Sequence, residues 1–374
     1  MCENILKWIC KSRKEWSHNN DFWDFKYQLS KDKSLLSKLS MNVATATHDF
    51  FPARRLIKAN GDITTIWDTK DSLALKYLAE KIKAKSNFSK FVVSNKGNGG
   101  IPKAIKTVNK LIKTHKYIYR SDVKSFYDSI NHEILLEELP KYTQPNEYKL
   151  IAKHLDRIEW QDGEYVEIKQ GISKSSPLSP LLGCIYLDKL DQAMEKMNIK
   201  YLRYADDWII LAKTKHKLRK AVKKCKQILA NLKLKEHPDK THYRNYQDFS
   251  LLLAIDCEHG SNLITSNKNE DLVSKQPFDF LGVEFNHNGA KDIKKETRQN
   301  FSIKISRLYE YIQAIASRKN TINTAYTKGK KLYDYINRLE LEMIKKFIRS
   351  LVGFSTYQKY TITNIDLDTT SSLS

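Results

Sequence analysis

Two adjacent aspartates in an apolar, β-prone segment are the feature that most restricts the fold of this chain. They lie within Tyr-Leu-Arg-Tyr-Ala-Asp-Asp-Trp-Ile-Ile-Leu, residues 201–211. The flanks predict two short strands, with Ala205, Asp206 and Asp207 forming the turn between them. Burial of the apolar faces would leave both carboxylates at the exposed tip, where a hard cation such as Mg²⁺ could bind them. An isolated Asp-Asp pair is more often an ordinary solvated turn, so the rest of the chain has to decide.

Charge and composition restrict the partners. The chain has 374 residues and a formal net charge of +22, which favours a polyanion, first nucleic acid and second an anionic membrane surface. It has no apolar run of about eighteen residues, so we expect no membrane-spanning segment. Its cysteines are scattered without a Cys-x-x-Cys pair, and no signal-peptide core opens the sequence. We therefore expect no zinc site and a reducing, cytoplasmic location.

A basic hairpin is predicted around residue 60. Residues 56–58 and 63–67 have strand composition, and the turn-forming pair Asn60-Gly61 lies between them. Arg54, Arg55 and Lys58 place positive charge on this hairpin. A solvated basic hairpin and a lobe that meets phosphates are equally good interpretations of this stretch alone.

A second candidate carboxylate is Asp122. Residues 117–123 alternate as a strand, and Asp122 falls at its C-terminal end, followed by a helix with Asn131 as N-cap. A plain strand-end residue is the alternative, and the 206–207 hairpin is what favours a site. If these carboxylates share cations, Asp122 should lie within about a nanometre of that hairpin tip.

Two further segments complete the pattern. Gln170-Gly171 begins a loop of small residues that leads into a helix, with Ser179 as N-cap and Pro180 at its first position. Gly171 would allow a close backbone approach to a nucleotide. Residues 278–285 predict a strand interrupted at Gly282. A helix near 218–232 carries a lysine face that we interpret as solvated, and residues 295–353 are predicted helical.

In this order the segments resemble the reverse transcriptases, nearest to the bacterial group II intron, retron and defence-associated enzymes. The resemblance covers about residues 52–285, and Tyr204-Ala-Asp-Asp207 with an upstream Asp122 and an intervening Gln170-Gly171 is its most specific part. Ser-Pro-Leu-Ser-Pro at 176–180, Lys240-Thr241 and Phe280-Leu-Gly282 resemble further motifs of the family.

The resemblance implies an α+β fold, a right hand with fingers, a palm of antiparallel sheet backed by helices, and a helical thumb. The implied boundaries are an N-terminal helical extension at 1–50, fingers at 51–116, palm at 117–290 with 140–169 returning to the fingers, thumb at 291–360 and a flexible tail at 361–374.

The family also implies nucleotidyl transfer with two Mg²⁺ ions, with Mn²⁺ as an alternative. Asp122, Asp206 and Asp207 would bind the ions, with the Val123 backbone carbonyl as a further ligand. Lys240 would protonate or neutralise the departing pyrophosphate.

Substrate contacts follow from the same resemblance. Lys58 would meet the triphosphate, and Tyr127 would collide with a ribose 2′-hydroxyl and so favour deoxynucleotides. Gln170 and Gly171 would lie along the incoming nucleotide. The primer would contact Phe280, Leu281 and Gly282.

Three positions depart from the family pattern. Thr64 stands where an arginine is usual, Ser72 replaces the arginine of an Asp-Arg pair, and Ser175 replaces a glycine. The missing arginines put ordinary handling of triphosphate or template in doubt, and Arg54 or Arg55 are candidate substitutes. An unusual template, a restricted product or specialised priming would fit these departures.

The expected function is therefore RNA-directed DNA polymerase activity, with an RNA template, dNTPs and a DNA product. The chain ends soon after the predicted thumb and lacks a Val-Thr-Gly motif there, so we expect a stand-alone antiphage-defence enzyme with a non-coding RNA rather than a retron. Homo-oligomerisation is left open. The alternatives are an RNA-synthesising palm polymerase, a non-catalytic RNA-binding scaffold and, less favoured, a metal-dependent nuclease.

Overall fold

A computed structural model describes residues 3–13, 20–57, 61, 63–246, 276–307 and 310. Lys58, the predicted thumb beyond residue 310 and the predicted tail lie outside the described residues. Residues 295–307 are helical, which confirms the first part of the helical segment predicted from residue 295.

Helices and strands are mixed along the described chain. The helices are α1 Glu3–Arg13, α2 Asn20–Lys31, α3 Leu35–Ala44, α4 Thr69–Lys85, α5 Gly100–Ile112, α6 Phe126–Ser129, α7 His132–Glu138, α8 Pro145–Leu155, α9 Ser179–Lys196 and α10 Lys215–Asn231. The strands are β1 Ala53–Ile57, β2 Ile63–Ile66, β3 Tyr117–Asp122, β4 Ile158–Gln161, β5 Glu164–Glu167, β6 Lys200–Tyr204, β7 Asp207–Ala212, β8 His242–Asn245, β9 Phe278–Phe280, β10 Val283–Asn286 and β11 Gly289–Ile293. This confirms the α+β class.

The described residues fall into two compact units. The first takes its residues from Met1–Val92, Ser121–Trp208 and Arg219–Thr241. The second takes them from Val93–Arg120, Ile209–Leu218 and His242–Ser374. Strands β3 and β7 and helix α10 run through both units because the division falls within them. The fingers, palm and thumb boundaries stay a prediction.

In the first unit, the basic hairpin predicted near residue 60 is present as β1 and β2. The two strands pair antiparallel, with Arg54 opposite Ile66 and Arg55 opposite Thr65. Strand β1 also pairs parallel with β4, which gives a sheet of order β2-β1-β4-β5. Helix α4 follows, capped by the Asp68 carboxylate, which accepts from the Lys70 N–H.

A second sheet, of order β6-β7-β3-β8, carries the two segments with candidate carboxylates. The strand predicted over residues 117–123 is present as β3, which ends at Asp122, and all six of its residues are buried. It pairs on one side with β7 and antiparallel on the other with β8, and both of its faces are covered. The predicted hairpin is present as β6 and β7, but its turn is shorter than expected because β7 already begins at Asp207.

Helix α9 differs from the prediction by one residue at its start. The capping position is Leu178, and Ser179 with Pro180 opens the helix. The Ser179 hydroxyl does not cap the helix, because it donates a hydrogen bond of 2.5 Å to the Ser173 carbonyl in the preceding loop. Asn131, by contrast, caps α7 as predicted, since its side chain accepts from the Ile134 N–H at 3.0 Å.

In the second unit, the strand interruption predicted at Gly282 is a tight hairpin turn. Strands β9 and β10 pair antiparallel around Leu281 and Gly282, whose φ angles are 50° and 80°. Two positive φ angles in succession suit a two-residue hairpin turn. Strand β11 extends the sheet, and the Ala290 N–H at its start donates to the Asn109 side chain of α5 at 2.7 Å.

None of the helices in the described ranges combines the length and the apolar character that crossing a bilayer would need.

Candidate active site

Asp122 lies at the end of β3, where the buried strand leaves the sheet. The residue is only 6% exposed, although it carries a carboxylate that would be strongly hydrated in the unfolded chain. Burial of such a group is unfavourable unless a charge or a donor compensates it. The groups around Asp122 therefore have to compensate its buried negative charge.

Asp206 is held at the tip of the β6–β7 hairpin by a buried network beneath it. The Arg203 guanidinium donates 2.7 Å to the Ala205 carbonyl in the turn. The same guanidinium forms a two-point ion pair with the fully buried Asp191 of α9, with a donor–acceptor distance of 2.8 Å for its Nε. The Tyr201 hydroxyl donates to that carboxylate at 2.9 Å. Sequence reasoning missed this network, because no local pattern connects residues from a helix with a strand twelve positions later.

The carboxylates of Asp122 and Asp206 come within hydrogen-bonding reach of each other. Burial, followed by the negative charge of Asp122, raises the pKa of Asp206 to about 6. Two carboxylates that repel in a half-buried place favour either a shared proton or a cation. The structure thus brings together two of the three predicted aspartates.

Lys240 supplies the nearest positive charge. Its ammonium lies 2.6 Å from Asp122 Oδ2. The turn that carries it is fixed to the end of β3, because the His237 N–H donates to the Asp122 carbonyl at 2.7 Å. The hydroxyls of Thr241 and Ser121 are also bonded, at 2.8 Å. The sequence prediction placed Lys240 at the site for the leaving group, and the structure places it on the carboxylate pair.

The oxygen donors at this point suit a hard divalent cation. Asp122 and Asp206 both offer carboxylate oxygens, and their mutual repulsion is the kind that Mg²⁺ relieves. Among the residues that the structure describes, however, no three His, Cys, Asp or Glu side chains converge in a group that could hold a metal ion. Asp207 is therefore not brought into a three-carboxylate cluster, and its role as a ligand stays a prediction.

The backbone carbonyl of Val123 points away from the segment around Glu236. Val123 forms an isolated antiparallel bridge with Glu236. The bonds of that bridge involve the Asp122 carbonyl, which accepts from the His237 N–H, and the Lys124 N–H on the other side. In this pattern the N–H and C=O of the central residue point away from the bridge. This orientation is compatible with the predicted ligand role of Val123.

Tyr127 stands next to the pair. Burial and the charge of Asp206 raise the pKa of its phenol to about 12, so the ring stays neutral at ordinary pH. Gly183 of α9 makes room for the neighbouring Phe126 ring, since a Cβ there would lie 3.0 Å from Phe126 but at an ordinary 3.9 Å from Tyr127. The aromatic side chain predicted to select the sugar thus lies beside Asp206.

The loop at Gln170-Gly171 is joined to the segment that carries Tyr127. The Gly171 N–H donates to Ile130 at 2.9 Å, and a Cβ on Gly171 would come within 2.9 Å of the Asp128 carbonyl. Its own carbonyl lies 2.8 Å from His132 Nε2. The close approach that Gly171 permits is to this chain's own backbone. Contact of Gln170, which is exposed, and of Gly171 with a nucleotide stays a prediction.

An arginine from the N-terminal helix reaches one of the positions that depart from the family pattern. The Arg13 guanidinium donates to the Ser72 hydroxyl at 3.0 Å and to the Trp67 carbonyl at 2.5 Å. Burial is the main factor that lowers the pKa of Arg13, and the nearby positive charge of Arg54 lowers it further. Sequence reasoning missed Arg13, since no local signal connects the end of α1 with the start of α4.

Ser175, and Asp71 beside Ser72, are also held by contacts within the first unit. Asp71 is buried and accepts from the Phe51 N–H at 3.0 Å, with His48 Nε2 at 2.9 Å. The Ser175 hydroxyl bonds both backbone groups of Thr65, accepting from its N–H at 3.0 Å. Arg55 donates to the Gln161 side chain at 3.1 Å. Serine at 175 therefore attaches the loop before α9 to strand β2.

The predicted primer contacts belong to the second unit. Phe280 is fully buried in β9, and Leu281 and Gly282 form the turn that follows. Their contact with a primer stays a prediction.

Comparison with known proteins identifies the family. The family model for reverse transcriptase (RNA-dependent DNA polymerase) matches residues 68–285. That range contains the carboxylate pair, Tyr127, the Gln170-Gly171 loop, Lys240 and the β9–β10 turn.

Relatives with curated descriptions give the same result over a part of their length. A retrovirus-related Pol polyprotein from a type-2 retrotransposable element of Drosophila melanogaster is 25% identical over 213 residues, which cover 51% of this chain and 19% of that protein. One from a type-1 retrotransposable element of Nasonia vitripennis is 26% identical over 195 residues, 48% of this chain and again 19% of the relative. The chain thus matches about a fifth of the length of each.

A solved structure of telomerase from Candida albicans in complex with a fragment of telomeric RNA is also similar. The match covers 90% of this chain and 63% of the telomerase chain, with 13% sequence identity and a TM-score of 0.47. The family model alone spans more than half of the sequence. The chain belongs to the reverse transcriptase family.

Proposed function

We propose that this protein is an RNA-directed DNA polymerase that adds deoxynucleotides to a primer 3′ end. The observation that carries the proposal is the pairing of Asp122 with Asp206 beside Lys240. A half-buried pair of carboxylates offers the oxygen ligands that a cation for phosphoryl transfer needs. The membership of the reverse transcriptase family supports RNA as template and DNA as product.

The reaction forms a bond between the primer 3′-oxygen and the α-phosphorus and breaks the bond to the bridging oxygen, so that pyrophosphate leaves. Magnesium ions bound by the three aspartates and the Val123 carbonyl would stabilise charge on the attacking and leaving oxygens. The chain's own contribution is to hold Asp206 rigidly, through the bond from Arg203 to Ala205. In the structure the Lys240 ammonium bonds Asp122, and we propose that it exchanges this partner for the departing pyrophosphate.

Tyr127 would determine which sugar is accepted. Its ring lies beside Asp206 and is backed by the buried ring of Phe126, 5.3 Å away between centroids. The ring carbons offer no hydrogen bond that would compensate a 2′-hydroxyl for the collision. We therefore expect deoxynucleotides as substrates, which favours DNA rather than RNA synthesis.

The template is tested with the protein and the RNA that copurifies with it. Purified protein is incubated with Mg²⁺ and each labelled dNTP, and the product is sequenced. A DNA product complementary to the bound RNA supports the proposal. Ribonucleotide incorporation would instead indicate an RNA-synthesising polymerase, and tight, salt-sensitive RNA binding without synthesis would indicate a scaffold.

The finer proposal is that the enzyme acts in antiphage defence with a non-coding RNA. It is supported by the resemblance to bacterial defence-associated enzymes. Cells that express the wild type or a variant with Asp122, Asp206 and Asp207 changed to Asn are challenged with phage. Loss of protection in the variant is expected, and protection that persists would contradict an enzymatic defence role.

A further inference from the structure

An open groove runs between the second half of α9 and helix α10, within the first unit. Its cavity volume is about 700 Å³. Five of its lining side chains are lysines from the two helices. They are Lys189 and Lys196 on α9 and Lys220, Lys223 and Lys224 on α10. The sequence alone indicated an ordinary solvated lysine face on α10, and the structure shows that α9 places further lysines opposite it.

The positive charge of this groove is poorly compensated. Helix α10 contains no acidic residue. Of the acidic side chains of α9, Asp191 forms an ion pair with Arg203. Asp188 and Glu195 accept hydrogen bonds from the Tyr142 hydroxyl at 2.6 Å and the Ser89 hydroxyl at 2.5 Å, and the structure gives neither an ion pair with a groove lysine.

Among the described residues, an acidic partner lies close to one groove lysine only. Lys189 lies 2.6 Å from Glu138. Within the described ranges, Lys196, Lys220 and Lys223 form no ion pair, and Lys224 reaches only the Gln227 amide oxygen at 3.5 Å. Lysines that face one another without acidic partners make a site for a polyanion, because like charges at short range are otherwise unfavourable.

The residues on the floor of the groove indicate which kind of polyanion would fit it. Ala193, Met197 and Ile228 line it between the lysines. Unpaired bases and sugars can contact such apolar side chains, whereas a duplex would present mainly phosphates. Gln192 and Gln227 also line the groove, and amides can both donate to and accept from a ribose 2′-hydroxyl.

We infer that this groove binds an unpaired segment of RNA, with phosphates on the lysines and riboses near the two glutamines. This RNA segment would bind away from the Asp122–Asp206 pair. Gly183 of α9 faces Phe126 and Tyr127, and the groove lysines of α9 follow it by six to thirteen residues, roughly 9–20 Å along the helix. The groove is thus a second RNA contact, and binding there can be measured without synthesis.

The test compares two triple variants of the full chain with equal loss of charge. Lys220, Lys223 and Lys224 are changed to Gln in one. In the control, the exposed Lys103, Lys106 and Lys110 of α5 are changed to Gln. Fluorescence anisotropy measures the affinity for an unstructured poly-uridine RNA at several salt concentrations. For the groove variant, the slope of log K against log salt should be smaller in magnitude than that of the wild type by about 2. Each of the three lost phosphate contacts of a single strand contributes roughly 0.7 to that slope.

The control variant should change this slope much less than the groove variant. An equal effect of both triple variants would show general electrostatic attraction and overturn the proposal. An equal loss of affinity for DNA of matched sequence, or for duplex RNA, would overturn the assignment to unpaired RNA. If the triple variant fails to fold in urea-unfolding controls, the double variant Lys196→Gln with Lys223→Gln, one lysine from each helix, is compared with the double control Lys103→Gln with Lys106→Gln.

Discussion

The ionised form of Asp206 destabilises the folded state. Its pKa is about 6 because of burial and the charge of Asp122, against about 3.9 in an unfolded chain. The native state therefore binds more protons than the unfolded state between these values. Stability is lost as pH rises through this window, and the loss is complete above about pH 6.

Replacing Asp206 with Asn should therefore stabilise the protein at neutral pH in the absence of divalent cations. We expect a gain of roughly 1 kcal/mol at about pH 7.5, less than the full pKa shift would give because the group is partly exposed, and little gain at about pH 4.5. Urea unfolding in EDTA at both pH values measures it. Added Mg²⁺ should raise the melting temperature of the wild type more than that of the variant. A variant that is less stable than the wild type at pH 7.5 would contradict this account.

Tyr127 leads to a second prediction at the residue scale. Tyr127→Ala should increase incorporation of ribonucleotides relative to deoxynucleotides, because the ring that would meet the 2′-hydroxyl is removed. Tyr127→Phe keeps the ring and should keep the discrimination. The ratio of kcat/KM for the two nucleotide classes is the measurement. An unchanged ratio in Tyr127→Ala would show that another group selects the sugar.

At the scale of elements, the site depends on the close approach of the Gly171 loop to the segment between β3 and α7. Gly171 has φ +80°, and a Cβ would lie 2.9 Å from the Asp128 carbonyl oxygen and 3.1 Å from that of Tyr127. Because both neighbours are backbone, neither can move aside without shifting the segment that carries Tyr127.

Gly171→Ala should therefore cost more stability than its positive φ alone explains. The matched control is Gly163→Ala in the β4–β5 turn, where φ is +95° but nothing lies within 4 Å of the added Cβ. We expect about 1 kcal/mol for the control and roughly 1–3 kcal/mol more for Gly171→Ala. Urea unfolding gives both values, and DNA synthesis should fall only in Gly171→Ala. Equal destabilisation of the two variants would show that the close approach is unimportant.

The comparison between sequence and structure is clearest for these elements. Local patterns were enough to predict the β1–β2 and β6–β7 hairpins and the Asn131 cap, because turn residues and strand composition lie side by side in the chain. They predicted β3 itself but not that all six of its residues are buried, because that burial depends on segments distant in sequence. They also could not predict that Arg203 pairs with Asp191 or that Arg13 meets Ser72, since those contacts exist only once the chain is folded.

For the whole molecule, the net charge of +22 makes binding of nucleic acid strongly dependent on salt. Part of that charge lies in the groove between α9 and α10, and part lies on the β1–β2 hairpin and at Lys240. The three places differ in what surrounds the cations: apolar side chains in the groove, a sheet edge at the hairpin, and a carboxylate pair at Lys240. Only at the last does the surrounding chemistry favour catalysis.

The most direct test of the central claim is DNA synthesis from a short primer on an RNA template, with Mg²⁺ and dNTPs. The variants are Asp122→Asn, Asp206→Asn and, as control, Asp162→Asn, which changes an exposed residue of the β4–β5 turn at a φ of 51° that Asn tolerates. The wild type and the control should extend the primer, and each site variant should be slower by at least about a hundredfold. Extension by Asp122→Asn or Asp206→Asn at the wild-type rate would contradict the assignment of these carboxylates to catalysis.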